Sequence, residues 1–269
     1  MKLQHNPFQI FHDSKTPAGL YARQKWLGEE STLSWQNDFK SCVDALFVGQ
    51  LPNGSWQRSS MATITNLFGL HLTVRKSNNR INTALEWLLN KIELTSKGVR
   101  VNADSDIKHT DLYGLPFVLG RTEMLFTGAT LFLSSIFNRQ NDPTVLAIYQ
   151  WLNKEGFTRE NINTDFVSMH NIFRSLVVYP KFTNADLTVK IAEIYAGLQT
   201  EEGDWGSGLP FYQTLNALGH LNLRQAEVQL ERAFTRLIET QNSDGTWGNR
   251  DPEWNTFLSI HALKNKGLL

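Results

Sequence analysis

A segment that occurs three times constrains this chain more than any other feature of its sequence. Gln50–Trp56, Gln199–Trp205 and Gln241–Trp247 share the pattern Gln-x-x-x-Gly-x-Trp. A Thr follows each Trp by nine residues, and a His follows that Thr by five or six. These positions are Thr65, Thr214 and Thr256, then His71, His220 and His261. Internal repeats of this size are typical of arrays built from one supersecondary unit, so we expect a repeated architecture.

Each repeat predicts a helical hairpin. Apolar residues at helical spacing precede the Gln, the Gly ends that helix, and a second apolar run follows the Trp. Trp205 and Trp247 are 42 residues apart, whereas Trp56 and Trp205 are 149 apart, about three intervals. Two degenerate copies are therefore expected between them. The five predicted hairpins lie near 38–75, 80–138, 143–179, 184–221 and 224–265.

The predicted fold is all-α, a closed ring of about five to six hairpins in one domain spanning 1–269. The second helix of each hairpin is apolar over more of its circumference, which predicts an inner and an outer layer. Gly19–Leu27 is expected to add one further helix that closes the ring, and residues 1–17 an N-terminal extension. No stretch alternates with period two, so no strand is expected.

Composition excludes several classes of function. The 26 basic and 26 acidic residues cancel, so a nucleic-acid partner, which needs a basic excess, is not expected. The longest apolar stretch, 124–137, is shorter than the roughly 18 residues of a transmembrane segment. A single cysteine, Cys42, allows no internal disulfide and is typical of a reducing compartment. These features predict a soluble, cytoplasmic protein of unknown oligomeric state.

The Gln-x-x-x-Gly-x-Trp unit resembles the QW motif of squalene–hopene and oxidosqualene cyclases and the related repeat of protein prenyltransferase β subunits. The resemblance implies an α/α toroid and an enzyme that handles isoprenoids. Two departures stand out: the aromatic residue that the family places before the Gln is not in register, and the chain has length for one such domain only. The resemblance thus implies a single-domain class II terpene cyclase, with acid-initiated cyclisation in an apolar central cavity.

The repeated side chains themselves are expected to be structural. The Gln amide can satisfy backbone groups at a helix end, and the Trp ring can cover the junction between hairpins. His71, His220 and His261 invite a metal interpretation, but equivalent places on different hairpins should keep them apart. A packing or capping role is therefore predicted for them, and no metal site is assigned.

The richest candidate for chemistry is the segment between residues 102 and 111. Asp104, Asp106, His109 and Asp111 place three carboxylates and an imidazole within eight residues. Such a cluster suits acid–base catalysis when burial and like charge raise the pKa of one carboxyl. It resembles the Asp-x-Asp-Asp motif of class II terpene cyclases, without the last acid. The alternative is an exposed loop in which Asp111 or Thr110 caps a helix.

Other candidates lie where the chain enters the predicted inner helices, and they are assigned to substrate binding. They are Phe117, Asp165, His170, Tyr212, Glu253 and Trp254. Aromatic faces would stabilise a cation in the substrate. Asp165 has the alternative role of a helix N-cap, and Glu253 that of a first-turn charge favoured by the helix dipole.

Two other classes of function remain open at this stage. Helical rings also carry carbohydrate-active enzymes, for which Asp106 or Asp111 would pair with Asp165 or Glu253 across a polar groove. A non-catalytic binding or scaffold protein would keep the repeat and fill its centre with side chains. The zinc-binding Asp-x-Cys element of prenyltransferases and the phosphate-binding loop motif are absent from the sequence. No cofactor is expected, except Mg²⁺ if the substrate is a diphosphate.

Overall fold

The computed structural model describes residues 2–96, 98–102, 112–156, 165–206 and 208–269. This part of the chain is mostly helical, with eleven α-helices and one small sheet. The helices are Pro17–Lys25 (α1), Leu33–Phe47 (α2), Ser60–Thr73 (α3), Asn79–Leu89 (α4), Thr122–Ile136 (α5), Pro143–Trp151 (α6), Phe166–Leu176 (α7), Asp186–Leu198 (α8), Phe211–Gly219 (α9), Arg224–Glu239 (α10) and Pro252–Asn265 (α11). None of them is both long and apolar enough to cross a membrane.

Local sequence explains where many of these helices begin. A polar side chain at the N-cap accepts a hydrogen bond from a backbone N–H of the first turn, which satisfies a group that the helix leaves unpaired. Proline occupies the first position of three helices, where its missing N–H costs nothing. The capping residues are Thr16, Thr32, Ser59, Asn78, Asp142 and Asp165, and the prolines are Pro17, Pro143 and Pro252.

The expectation that the chain has no strands is wrong in one place. Ile92–Thr95 (β1) and Gly98–Val101 (β2) form an antiparallel pair, with Ile92 opposite Val101 and Thr95 opposite Gly98. Each strand has four residues, which is too short for an alternation of polar and apolar side chains to stand out in the sequence. β2 packs on α5, so this β-hairpin is attached to the helical part of the structure.

The five predicted hairpins each contain two helices, and α1 overlaps the predicted Gly19–Leu27 segment but begins and ends two residues earlier, at Pro17 and Lys25. Six helices share a chain of contacts: α1 packs on α3, α3 on α5, α5 on α7, α7 on α9, α9 on α11, and α11 on α1. The other helices pack against this set, as α4 does on α3 and α5. Burial follows the same division, since Leu125–Ser135 of α5 is buried throughout whereas α2 buries only Trp35.

The Gln of each repeat joins two parts of the fold through one side-chain amide. Gln50 Nε2 donates to the carbonyl of Gly54 in its own turn at 3.0 Å and to that of Arg80, 30 residues later, at 2.9 Å. Gln199 repeats this arrangement, with bonds to Gly203 at 3.3 Å and to Gln229, again 30 residues later, at 2.9 Å. The amide therefore fastens each turn to the first helix of the next hairpin.

The Gly of each repeat is required for two reasons. Gly54, Gly203 and Gly245 have φ angles of 91°, 81° and 86°, a region that favours glycine. A Cβ at these positions would fall against the backbone of Thr83, Arg232 and Asn6 respectively. The turn can therefore approach the neighbouring element only where a side chain is missing.

In the third repeat the N-terminal segment takes the place of the next hairpin. Gln241 Nε2 donates to the carbonyls of Gly245 at 3.0 Å and His5 at 3.1 Å. Its Oε1 accepts from the backbone N–H groups of Gln4 at 3.1 Å and His5 at 3.0 Å. From the sequence, residues 1–17 are expected to form an N-terminal extension. Part of this segment bonds Gln241 in the way that the next helix bonds Gln50 and Gln199.

The repeated Trp and Thr are buried partners of the same turns. The Trp205 indole N–H donates to Gln229 Oε1 at 2.9 Å, and that of Trp247 donates to the Leu237 carbonyl at 2.7 Å. Thr256 Oγ1 accepts from the Trp247 backbone N–H at 3.1 Å. In the first copy Thr63 makes this bond instead, and Thr65, the residue at the repeated spacing, is exposed.

We expect Gln241→Ala to lower the free energy of unfolding by about 2 kcal/mol, because it removes four hydrogen bonds at a poorly exposed position and leaves backbone groups of the N-terminal segment unpaired. Urea unfolding followed by circular dichroism measures the change. Gln36→Ala, at an exposed position of α2, is the control and should change stability by less than about 0.5 kcal/mol. Equal effects of the two substitutions would contradict the proposed role of Gln241.

Candidate functional site

An apolar cavity of about 400 Å³ lies beside the ends of α1 and α11. We call it the apolar chamber. Its walls combine aromatic and aliphatic side chains with two carboxylates at one side, Asp251 and Glu253. The residues that line it are Thr16, Pro17, Ala18, Leu46, Thr65, Phe68, Gly69, Leu72, Tyr113, Gly114, Leu115, Asp251, Glu253 and Trp254.

A second cavity of about 220 Å³ adjoins the first, and Phe68, Leu72 and Trp254 line both. We call it the histidine chamber, because His71, His220 and His261 all face it. The side chains around them are Tyr21, Arg75, Pro116, Phe132, Ile136, Arg174, Val178, Asn216, Phe257 and Leu258. The apolar chamber and the histidine chamber thus form two neighbouring spaces, of which the second has the more polar side chains.

The expectation that the fold separates the three repeated histidines is therefore wrong. They stand near the C-terminal ends of α3, α9 and α11, and these helices converge so closely that the ring centroids of His220 and His261 are 5.2 Å apart. Asn216 Nδ2 donates to the Leu258 carbonyl at 3.1 Å and lies 3.3 Å from His261 Nδ1. Whether equivalent residues of different hairpins meet depends on the distance between their helices, which the spacing of residues along the chain does not encode.

These histidines are held neutral. The three residues are half-buried along the chamber wall, and desolvation lowers the pKa of His71 to about 3, that of His261 to about 4 and that of His220 well below its ordinary value. The positive charge of Arg174 lowers all three further. The chamber consequently presents imidazole rings that can donate or accept hydrogen bonds without adding charge.

Arg174 is the buried charge of this site. Its side chain is 3% exposed, and burial lowers its pKa to about 9, so the guanidinium remains largely protonated at pH 7. One terminal nitrogen donates to Asn216 Oδ1 at 2.9 Å, and the group lies 5.7 Å from the ring centroid of Phe132. Nε has no hydrogen-bond partner, and no carboxylate of the described residues forms an ion pair with Arg174.

Hydrogen bonds fasten the wall of the apolar chamber to the start of α11. Glu253 Oε1 accepts from the hydroxyls of Ser14, at 3.0 Å, and of Thr16. The Trp254 indole donates to the Leu115 carbonyl at 3.1 Å, and Asp251 Oδ2 accepts from the Gly114 N–H at 3.3 Å. The chain that follows the predicted acidic segment is thereby held at this cavity.

The structure assigns different surroundings to the residues predicted from sequence. Asp104, Asp106, His109 and Asp111 lie outside the described residues. Glu253 and Trp254 come together in the wall of the apolar chamber.

The remaining predicted residues lie away from the chamber walls. Asp165 caps α7, its Oδ1 accepting from the Ser168 N–H at 3.0 Å, which is the alternative role predicted for it. His170 is fully buried with its Nε2 3.4 Å from the Pro116 carbonyl, and Phe117 packs edge-on against Phe132. Tyr212 is half-buried beside Phe211.

The sequence analysis overlooked Arg174, Arg75 and Asn216. The sequence does contain a sign of Arg174, because this charged residue lies among the apolar residues of Ile172–Leu176. Arginine is rarely buried in such a segment unless it is paired. Arg75 lies over the ring of Tyr21, 4.9 Å from its centroid, and bonds Gln24. Among the described residues, no three His, Cys, Asp or Glu side chains have the arrangement of a metal site.

Comparison with known proteins adds a likeness of fold. No protein-family model matches the chain, and no curated protein matches it. The crystal structure of a protein from Actinoplanes is similar, with a TM-score of 0.61 and 14% identity over 96% of this chain and 90% of that one. At this identity the similarity shows the fold alone.

The four histidines whose pKa values are lowered by desolvation predict that stability falls in mild acid. Because the folded state holds His71, His170, His220 and His261 neutral below their ordinary pKa of 6.5, the unfolded chain binds more protons as pH drops below 6.5. We expect each to lower the free energy of unfolding by up to about 1.4 kcal/mol per pH unit between pH 6 and 5. Urea unfolding at several pH values measures this slope.

His170→Gln should reduce the pH dependence of the free energy of unfolding by about one proton, whereas Gln36→Ala, which removes no titratable group, should leave it unchanged. A stability that stays constant from pH 7 to pH 5 in the unaltered protein would contradict the assignment of neutral imidazoles.

Proposed function

We propose that the chain forms a closed α/α toroid. The contact of α11 with α1 supports closure, because it joins the last of the six sequentially packed helices to the first. The bonds of Gln241 to residues 4 and 5 support it independently, since they follow the pattern that links the turns of Gln50 and Gln199 to the next hairpin.

Within this toroid, we propose that the apolar chamber binds an isoprenoid chain and that the protein is a single-domain cyclase of the class II type. The observation that carries the proposal is the apolar, aromatic lining of a 400 Å³ cavity. An apolar pocket with few polar groups suits a hydrocarbon chain, whereas a carbohydrate would require a polar groove with paired acids. A scaffold protein would have no reason to keep this space open.

The proposed reaction is an isomerisation started by an acid. Asp104 or Asp106, with His109 and Asp111 nearby in the sequence, supplies a protonated carboxyl that transfers its proton to a carbon–carbon double bond of the substrate. The resulting cation is attacked by a second double bond, which closes a ring, and loss of a proton to the carboxylate restores the acid. Tyr113, Gly114 and Leu115, which follow this acidic segment in the chain, line the apolar chamber.

Described side chains would stabilise and orient the substrate. Phe68 and Trp254 meet edge to face with ring centroids 5.8 Å apart, and their π faces would stabilise the positive charge that develops during cyclisation. Glu253 is a positioning residue, because its carboxyl ties the segment of Ser14 and Thr16 to the chamber wall.

A product assay tests the reaction. Squalene, farnesyl diphosphate and geranylgeranyl diphosphate are incubated with the protein, with and without Mg²⁺, and the extracts are analysed by mass spectrometry. We expect a cyclic product of unchanged mass in its hydrocarbon part, and a loss of at least about 100-fold in rate for Asp104→Asn or Asp106→Asn, whose amides cannot donate an acidic proton. A cyclic product formed equally fast by both variants would contradict the role of the acidic segment.

A binding assay tests the chamber separately. Thr65 is exposed at its mouth, so Thr65→Trp should fill the entrance without disturbing the core and weaken binding of a farnesyl chain at least about tenfold. Isothermal titration calorimetry measures the affinity. Thr235→Trp, at an exposed threonine of α10, is the matched control and should bind as the unaltered protein does. Equal affinities for all three proteins would place the ligand elsewhere.

A further inference from the structure

Arg174 carries a positive charge into the centre of the protein. Its side chain is 3% exposed, and it lines the histidine chamber with Nε unpartnered. A buried charge is costly unless it is paired and hydrogen-bonded. The only side-chain hydrogen bond described for it is the one to the neutral amide of Asn216, and the centroid of the Phe132 ring is 5.7 Å away, but no described carboxylate neutralises its charge.

The surroundings of Arg174 can receive an anion without competing for it. His71, His220 and His261 are neutral, and each imidazole carries one N–H that can donate a hydrogen bond. A fork of guanidinium N–H groups matches the two oxygens of a carboxylate. The chamber therefore offers the buried positive charge of Arg174, the charge of Arg75 at another part of its wall and several neutral donors in about 220 Å³.

The same charge bears on the proposed cyclisation. An uncompensated guanidinium beside the apolar chamber would oppose the formation of a carbocation there. An anion bound at Arg174 would remove this repulsion, because the ion pair of Arg174 and the anion has no net charge. Phe68 and Trp254 line both chambers and so lie between this pair and the substrate chain.

We propose that the histidine chamber binds the carboxylate head of a ligand whose hydrocarbon chain occupies the apolar chamber. This inference rests on the proposed function and deepens it, because among isoprenoid ligands it favours one with a carboxylate head. One negative charge matches Arg174, whereas a diphosphate carries more charge than this residue balances. The second cation of the chamber wall, Arg75, is bonded to Gln24 and stacked on Tyr21, and the negative charge of Glu30 already favours its protonated form.

Three ligands with the same hydrocarbon chain test the proposal: farnesoic acid, farnesol and farnesyl diphosphate. Their affinities are measured by isothermal titration calorimetry at pH 7.5 in constant salt. We expect farnesoic acid to bind at least about tenfold more tightly than farnesol and more tightly than the diphosphate, because the carboxylate gains a charge-assisted hydrogen bond with Arg174.

Variants of Arg174 locate the effect. Arg174→Met should abolish the preference for the acid over the alcohol, and it replaces a buried charge with an apolar side chain, a change that proteins often tolerate. Arg174→Lys should retain part of the preference. Arg224→Met, at an exposed position of α10, is the matched control and should keep all of it.

The outcomes separate the two proposals. Equal binding of the acid and the alcohol would overturn the carboxylate site and leave the isoprenoid chamber intact, and so would an acid preference that survives in Arg174→Met. Tighter binding of the diphosphate would overturn the carboxylate in favour of a more highly charged head. Binding of none of the three ligands would overturn the proposed function itself. The comparison of ligands on the unaltered protein decides the question even if a variant does not fold.

Discussion

One side-chain amide, used three times, holds the architecture together. The Gln of each repeat bonds a carbonyl of its own turn and a carbonyl of the next structural element, so a local turn and a long-range contact depend on the same group. The adjacent Gly is needed because that contact leaves no room for a Cβ. Since the third Gln finds residues 4–6 where the others find a helix, the two ends of the chain meet through the same interaction that joins consecutive hairpins.

This arrangement explains why the helices could be predicted and the centre could not. The Gln, Gly and Trp act within a few residues of one another, so their spacing locates the turns, and the apolar runs beside them locate the helices. The convergence of His71, His220 and His261 depends on the distance across the helical set, which no local pattern encodes. The only sign in the sequence that Arg174 is buried is the presence of one charged residue among apolar neighbours. A four-residue strand such as β1 is too short to show the alternation of polar and apolar residues that identifies a strand.

The repeat predicts where helices and turns lie better than it predicts the contacts of individual side chains. Thr256 bonds the backbone of Trp247, but in the first copy Thr63 replaces Thr65 in that role, and Thr65 becomes free to face the apolar chamber. Asp165 likewise belongs to the beginning of α7, where a carboxylate satisfies a helix N–H. Residues at the same position of the repeat can therefore have different roles: one bonds the turn, whereas another lines the cavity. The role depends on which side of its helix the residue occupies.

The bound position of the N-terminal segment and the walls of the apolar chamber are physically linked. Thr16, Pro17 and Ala18 form part of the apolar chamber, and they follow directly on the segment that Gln241 binds. Glu253, at the start of α11, holds the same stretch through Ser14 and Thr16. Release of the N-terminal segment would therefore remove a wall of the cavity, as well as loosening the contact between the two ends of the chain. A ligand that contacts this wall would in turn stabilise the bound position of the N-terminal segment, because release of the segment would remove some of the ligand's contacts.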